Sequence, residues 1–316
     1  MDRGLESRLA RRREQIRRRT IVRRRIMLGC FAGALVAAAL ALLFLRGSSD
    51  DGDKADQAAT ANAGKQAQSR PADGQNPDGA DSQRGGVHPD DSWKPHTGPV
   101  PILMYHVIGD PEGDVPYPDL WLGQDDFKAQ VDWLAENGYT AVTLVQVQNA
   151  WYDGGTLPPK PIVLSFDDGY LGQYLYAMPI LEKQGWAGQL NLKAEGSDLS
   201  SKEVKKMYRA GWEIASHTIT HPDLTTLDPA SLEHELVGSK QQLEKDLGIE
   251  IVNFCYPAGQ YNDEVIAAVK KAGYRGATTV NPGLAEKSMP FELNRIRMDR
   301  GDGPDTLAEK LSAAGA

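Results

Sequence analysis

The run Pro161-Ile162-Val163-Leu164-Ser165-Phe166-Asp167-Asp168-Gly169 is an apolar stretch that ends in two adjacent carboxylates and a glycine. Ile, Val, Leu and Phe without polar alternation fit a strand covered on both faces, the pattern of a parallel α/β sheet. In such sheets active sites gather at the C-terminal ends of the strands, where Asp167 and Asp168 would lie. Two neighbouring carboxylates repel each other in a dry pocket unless a cation neutralises one, which leaves the other free for proton transfer. The same residues also fit an Asp-Gly turn closing an ordinary strand.

Fifty residues after Asp167, Trp212-Glu213-Ile214-Ala215-Ser216-His217-Thr218-Ile219-Thr220-His221-Pro222 again runs from apolar into polar sequence and carries two histidines four apart. Positions i and i+4 share a helix face, and a tight loop can bring them together equally well. Neutral imidazoles suit zinc and its transition-metal neighbours. With one added carboxylate they form a His, His, Asp set that leaves coordination positions for water and substrate. His88 and His96 lie in polar sequence and His234 lies among charges in an expected helix, so these three read as ordinary structural or surface residues.

Ser165-Phe166-Asp167-Asp168-Gly169 and His217-Thr218-Ile219-Thr220-His221, in this order and at this separation, resemble the first two motifs of the polysaccharide deacetylases of carbohydrate esterase family 4, which share the NodB homology domain. The resemblance covers roughly residues 99 to 300. It implies Asp167 as general base and Asp168, His217 and His221 as ligands of a divalent metal, Zn2+ first, with Co2+, Ni2+ or Mn2+ as alternatives. Val100-Pro101-Ile102-Leu103-Met104-Tyr105-His106-Val107-Ile108 is similar to the opening strand of the poly-N-acetylglucosamine deacetylase branch, and Phe254-Cys255-Tyr256-Pro257-Ala258-Gly259-Gln260-Tyr261-Asn262 to its third motif. The latter implies that the Tyr256 backbone N–H helps to hold the oxyanion of the reaction.

Two departures bear on the remaining roles. Many family members supply the general acid from a later histidine, but no histidine follows Arg297. The role falls to His106, whose alternative is a buried histidine bonded to backbone. Many members also place an arginine shortly before the third motif to orient the base, where this chain has Ile251-Val252-Asn253. Arg295, in Leu293-Asn294-Arg295-Ile296-Arg297-Met298, is the substitute, although a strand-end arginine can equally pair with a surface acid. Tyr105, Trp212 and Tyr261 are candidates either for sugar stacking or for packing.

The elements that must position these groups follow from periodicity and punctuation. Strands are expected at Val100 to His106, Ala141 to Leu144, the Asp167 segment, Leu190, the His217 segment, Cys255, Arg275 to Thr279 and Leu293 to Met298. Helices are expected near Asp125 to Asn137 and Leu175 to Gln184, after the Ser200-Ser201-Lys202-Glu203 capping box, after Asp228-Pro229 and after Asn262. Strand and helix alternation predicts parallel strands with right-handed crossovers, in a barrel or an open sheet. The family resemblance implies a distorted (β/α) barrel of about seven strands over residues 99–316.

Upstream, eleven arginines within residues 1–25 precede twenty uncharged residues, Ile26 to Leu45. Twenty residues at a rise of about 1.5 Å reach about 30 Å, enough to span the hydrocarbon of a bilayer. The arginines place the short arm in the cytoplasm and the rest outside. A cleaved signal peptide is disfavoured, because the apolar stretch exceeds the usual ~7 to 15 residues and Leu43-Phe44-Leu45-Arg46 lacks a small-x-small site. Residues 46–98, rich in Asp, Gly, Ala, Gln, Ser and Pro, read as a disordered linker.

Removing residues 1–45 takes away 11 of 35 basic and 3 of 43 acidic residues, leaving 24 against 40. That acidic balance argues against nucleic acid as a partner and against a polyanionic product. Cys30, in the expected span, and Cys255 cannot pair within one molecule. The implied activity is metal-dependent removal of N-acetyl groups from an N-acetylglucosamine polymer, an exopolysaccharide or peptidoglycan, outside the membrane. The Met-Tyr-His opening favours the exopolysaccharide. A non-catalytic tethered glycan-binding module and an amidase acting on a smaller non-sugar amide are the alternatives. Linkage and any polysaccharide synthase partner stay open.

Overall fold

A computed structural model describes residues 85–111 and 113–316, all within the unit Asn76–Ala316. The expected cytoplasmic arm, the span Ile26–Leu45 and most of the linker lie outside the described residues. Among the described residues no helix is long and apolar enough to cross a membrane.

The core is a curved α/β half-barrel of parallel strands: β1 (Ile102–Tyr105), β2 (Thr140–Ala141), β3 (Pro161–Asp167), β4 (Gln189–Leu192), β5 (Glu213–Ser216), β6 (Asn253–Cys255), β7 (Gly276–Thr278) and β8 (Ile296–Arg297). Seven of them run in the order β7-β6-β5-β4-β3-β1-β8, with β2 paired beside the start of β3. Registers such as Leu103↔Leu164, Phe166↔Leu190 and Phe254↔Ser216 are parallel throughout. A single parallel bridge, Thr278↔Leu293, ties the segment entering β8 to β7.

Alternation along β3 assigns its two faces. Phe166 points outward, stacked on Tyr105 at 5.2 Å and 5.0 Å from Trp212, with Phe127 of α1 (Gln124–Glu136) closing the cluster. Ser165 and Asp167 point inward. Tyr105 and Trp212 are both fully buried in this packing, so neither can stack on a sugar.

Two expectations need correction. The strand expected over Ala141 to Leu144 stops at Ala141, and Thr143 instead caps α2 (Leu144–Tyr152) through a reciprocal capping box with Gln146. The packed domain also begins upstream of residue 99. Lys94–Pro95 pairs antiparallel with Thr156–Leu157, and Trp93 is buried in a cluster with Val100, Val147, Trp151 and Leu293. One large apolar side chain in an otherwise polar stretch is enough to dock it.

Further back, the Gly85 N–H donates to Arg209 O, and Gln146 Nε2 donates to Val87 O. Gly211, at φ 96°, lies so close that a Cβ there would fall 2.1 Å from Gly85 O. Gly211 precedes β5, so this contact lies at the N-terminal ends of the strands. Trp93→Ala should remove about 3–5 kcal/mol of stability by opening a cavity in the cluster. Thermal unfolding should show a Tm drop on the order of 10 °C, and an unchanged Tm would mean that the segment is not docked.

Candidate active site

At the opposite ends of the strands, β3 delivers Asp167 and the chain turns at once through Asp168 (φ 74°) and Gly169 (φ 75°). Two successive left-handed residues swing the Asp168 carboxylate away from that of Asp167. Asp tolerates this region better than most side chains. Gly169 has no substitute, since a Cβ there would stand 2.4 Å from Ser197 Oγ.

Asp167 is 3% exposed and hydrogen-bonded on both oxygens. Arg295 Nη1 and Nη2 meet its two oxygens at 2.8 Å each, and Asn191 Nδ2 donates to Oδ1 at 2.7 Å. The remaining guanidinium donors reach Thr279 O, Ser165 Oγ and Cys255 Sγ, so all five N–H groups of this buried cation are used. Burial works to raise the Asp167 pKa, but Arg295 outweighs it and holds the carboxyl well below the usual range. His106 approaches from the end of β1, its Nε2 3.7 Å from Asp167 Oδ2, while its Nδ1 is buried with no hydrogen-bond partner. Burial lowers the His106 pKa against the pull of Asp167 and Asp168.

The second cluster faces the first. β5 ends at Ser216, and His217 to His221 form a tight loop with Thr218 at φ 68° and His221 at φ 64°. His217 Nδ1 lies 2.8 Å from Cys255 O, a contact that assigns the ring proton to Nδ1 and leaves the Nε2 lone pair facing Asp168. Asp168 Oδ1 is 3.9 Å from His217 Nε2 and 3.7 Å from His221 Nε2. The three ligand atoms lie within 4.8 Å of one another, a donor set suited to one divalent cation. Burial lowers the pKa of His221, favouring the neutral, ligating form. Lys193 Nζ stands 3.4 Å from Asp168 Oδ1.

Asp167, His217 and Cys255 form a second group within the same 4.8 Å limit. Burial pushes the Cys255 thiol up to about 12 and Asp167 is committed to Arg295, so this group is the poorer ligand set.

The family profile for polysaccharide deacetylases matches residues 154–277. A Bacillus subtilis protein, YxkH, which carries a provisional polysaccharide deacetylase name, is 31% identical over 207 residues, 64% of this chain and 72% of that protein. The chain belongs to the polysaccharide deacetylase family. The Escherichia coli poly-β-1,6-N-acetyl-D-glucosamine N-deacetylase is 26% identical over 69% of the chain, which spans only 39% of that protein's length. Among solved structures, the Streptococcus pyogenes deacetylase PplD in complex with acetate superposes with a TM-score of 0.63 at 27% identity, covering 68% of this chain and 99% of that one.

Asp167, Asp168, His217 and His221 of this deacetylase fall inside the matched segment, whereas His106 and Arg295 lie on either side of it. The structure nevertheless brings all six to one mouth. Tyr256 is different: its N–H donates to Thr278 O at 3.1 Å in the ladder to β7, so it is not available as an oxyanion donor. Tyr261 stacks on the Tyr256 ring at 4.8 Å and is partly exposed.

The sequence reading did not single out Asn191, Lys193 or Gln173. Asn191 and Gln189 are polar, fully buried residues on an otherwise apolar strand, which was the available signal. Gln173 Nε2 donates to the backbone carbonyls of both His106 and Asp167, and nothing local in the sequence marks it.

Arg295→Met should leave Asp167 uncompensated in the interior and destabilise the fold by about 3–5 kcal/mol at neutral pH. Because the folded pKa of Asp167 lies below its unfolded value, its stabilisation is present above about pH 4 and is lost as pH falls. The gap between wild type and variant in urea unfolding should therefore narrow from pH 6 to pH 3. A constant gap would show that Arg295 acts by packing alone.

Proposed function

We propose that this polysaccharide deacetylase hydrolyses N-acetyl groups of a poly-N-acetylglucosamine exopolysaccharide, with Asp167 as base, His106 as acid and a divalent cation on Asp168, His217 and His221. The observation that carries this reading is His106 at the end of β1, its Nε2 3.7 Å from Asp167 Oδ2, beside an Asp168, His217 and His221 set whose ligand atoms converge. The Escherichia coli relative named for β-1,6-linked N-acetylglucosamine supports the same substrate class. We also propose that Ile26 to Leu45 anchors the domain outside the membrane; the support is the charge-free apolar run behind eleven arginines.

An acetamide is a poor electrophile, so water must be activated and the charge developing on the carbonyl oxygen must be stabilised. Asp168, His217 and His221 would hold a zinc-class cation, which would supply an acidified water and a polarised acetyl carbonyl. Asp167 accepts the water proton. Its pairing with Arg295 makes it a weak base but favours its ionised form. That ionisation lets it act once water is acidified. Gln173 and Asn191 fix the carboxylate and the backbone around it. His106 Nε2, facing the same carboxylate, is placed to hand a proton to the leaving glucosamine nitrogen. With the Tyr256 amide engaged and Pro257 lacking an N–H, the next amide on this turn that could serve an oxyanion is that of Ala258 (φ 49°).

Asp167→Asn should abolish acetate release from β-1,6-linked N-acetylglucosamine oligomers while zinc stays near stoichiometric. His106→Ala should lower kcat by roughly 10²–10⁴-fold, the usual worth of a positioned acid. Full turnover in either variant rejects the corresponding role. Faster release from chitooligomers or peptidoglycan than from the β-1,6 polymer rejects the substrate.

A further inference from the structure

The loop His217 to His221 holds two non-glycine residues in the left-handed region, and each such residue costs on the order of 1–2 kcal/mol. Something must hold it in that shape. Part of the answer is internal: His221 N–H donates to Thr218 Oγ1, and Thr218 N–H donates to Ser216 Oγ. These bonds shape the two ends of the loop and leave its centre to another group.

The centre is held from outside by Glu235. Its Oε2 accepts from the N–H groups of Ile219 at 2.8 Å and Thr220 at 3.0 Å, and its Oε1 accepts from Thr220 Oγ1 at 2.6 Å. Two consecutive amides aimed at one oxygen form an anion-binding nest, filled here by a side chain of the protein. Glu235 is 7% exposed, and the sequence gives it no special mark among the charges of its helix.

Glu235 reaches the loop from a π-turn, His234–Gly238, inserted between α3 (Pro229–Glu233) and α4 (Ser239–Leu247). π-turns tend to mark functional positions. At its end Ser239 Oγ pairs with Ser216 Oγ at 2.8 Å, so the same helix also grips the strand that carries His217. The hydrogen bonds of Glu235 to the loop go to Ile219 and Thr220, the residues between the two histidines.

We propose that Glu235 is a positioning residue that sets the His217–His221 backbone before any cation binds, so that the ligand set is preassembled. This rests on the reading of Asp168, His217 and His221 as the cation site. Zinc affinity of the full chain, measured by chelator competition, should fall roughly 10–100-fold in Glu235→Ala, the usual effect of removing a group that orients a metal ligand. Turnover at saturating zinc should stay within a few-fold of wild type. Glu235→Gln retains an acceptor for the two amides and an amide donor for Thr220 Oγ1, and should bind zinc nearly as wild type does.

Hydrogen exchange in the metal-stripped wild-type chain provides a readout that needs no variant to fold. The Ile219 and Thr220 amides should be protected without zinc. Equal zinc affinity in Glu235→Ala, or amides protected only when zinc is added, overturns the proposal. Failure of the wild-type chain to bind zinc at all would instead overturn the cation site itself.

Discussion

The buried pairing of Arg295 with Asp167 is the constraint around which the fold is arranged. A guanidinium and a carboxylate are both removed from water here, which is tolerable only with near-complete hydrogen bonding. All five guanidinium donors are used, on groups drawn from β3, β6 and the segment after β7. These partners lie up to 130 residues away from Arg295 in the chain. They can converge only if the sheet curls until the segment entering β8 lies beside β7. Curvature, strand order and the ionisation of Asp167 are thus bound together. The arrangement also divides the two acids: Asp167 is taken up by the arginine, and Asp168, turned away by its left-handed backbone, is left to the histidines.

Strain is concentrated in the same place. Of the five non-glycine residues with positive φ among those described, Asp168, Thr218, His221 and Ala258 all follow the C-terminal ends of β3, β5 and β6. A backbone outlier persists only where its surroundings over-determine it. Here the surroundings are identifiable: Ser197 against Gly169, Glu235 under the histidine loop and the ladder bond that pins Tyr256. The strands beneath them provide the rigidity, and the loops carry the distortion.

What the sequence disclosed and what it hid divide along physical lines. Asp167 with Asp168, and His217 with His221, announce themselves because ligand-type residues follow directly on buried apolar runs. Arg295 could be placed against Asp167 only through family resemblance, since a pairing across 128 residues leaves no local trace. The segment Ala141-Val142-Thr143-Leu144 reads as strand, but its Thr143 cap and the packing of Val147 and Trp151 make the latter part a helix. Tyr105 and Trp212 looked available for sugars because type says nothing about which face of a strand is covered. Tyr256 failed for a related reason, as whether an amide is spent in a ladder depends on a neighbour, Thr278, that lies 22 residues further on.

The close contact of Gly85 with Gly211 gives the molecule a direction. The polypeptide enters the barrel at the pole formed by the starts of the strands, while Asp167, Asp168 and His217 crown the other. Tension drawn along the upstream chain is therefore received at the heel of the barrel and passes into Ala210 and Gly211 rather than into the reacting groups. The described chain thus joins the barrel at its heel, at the far pole from Asp167, Asp168 and His217.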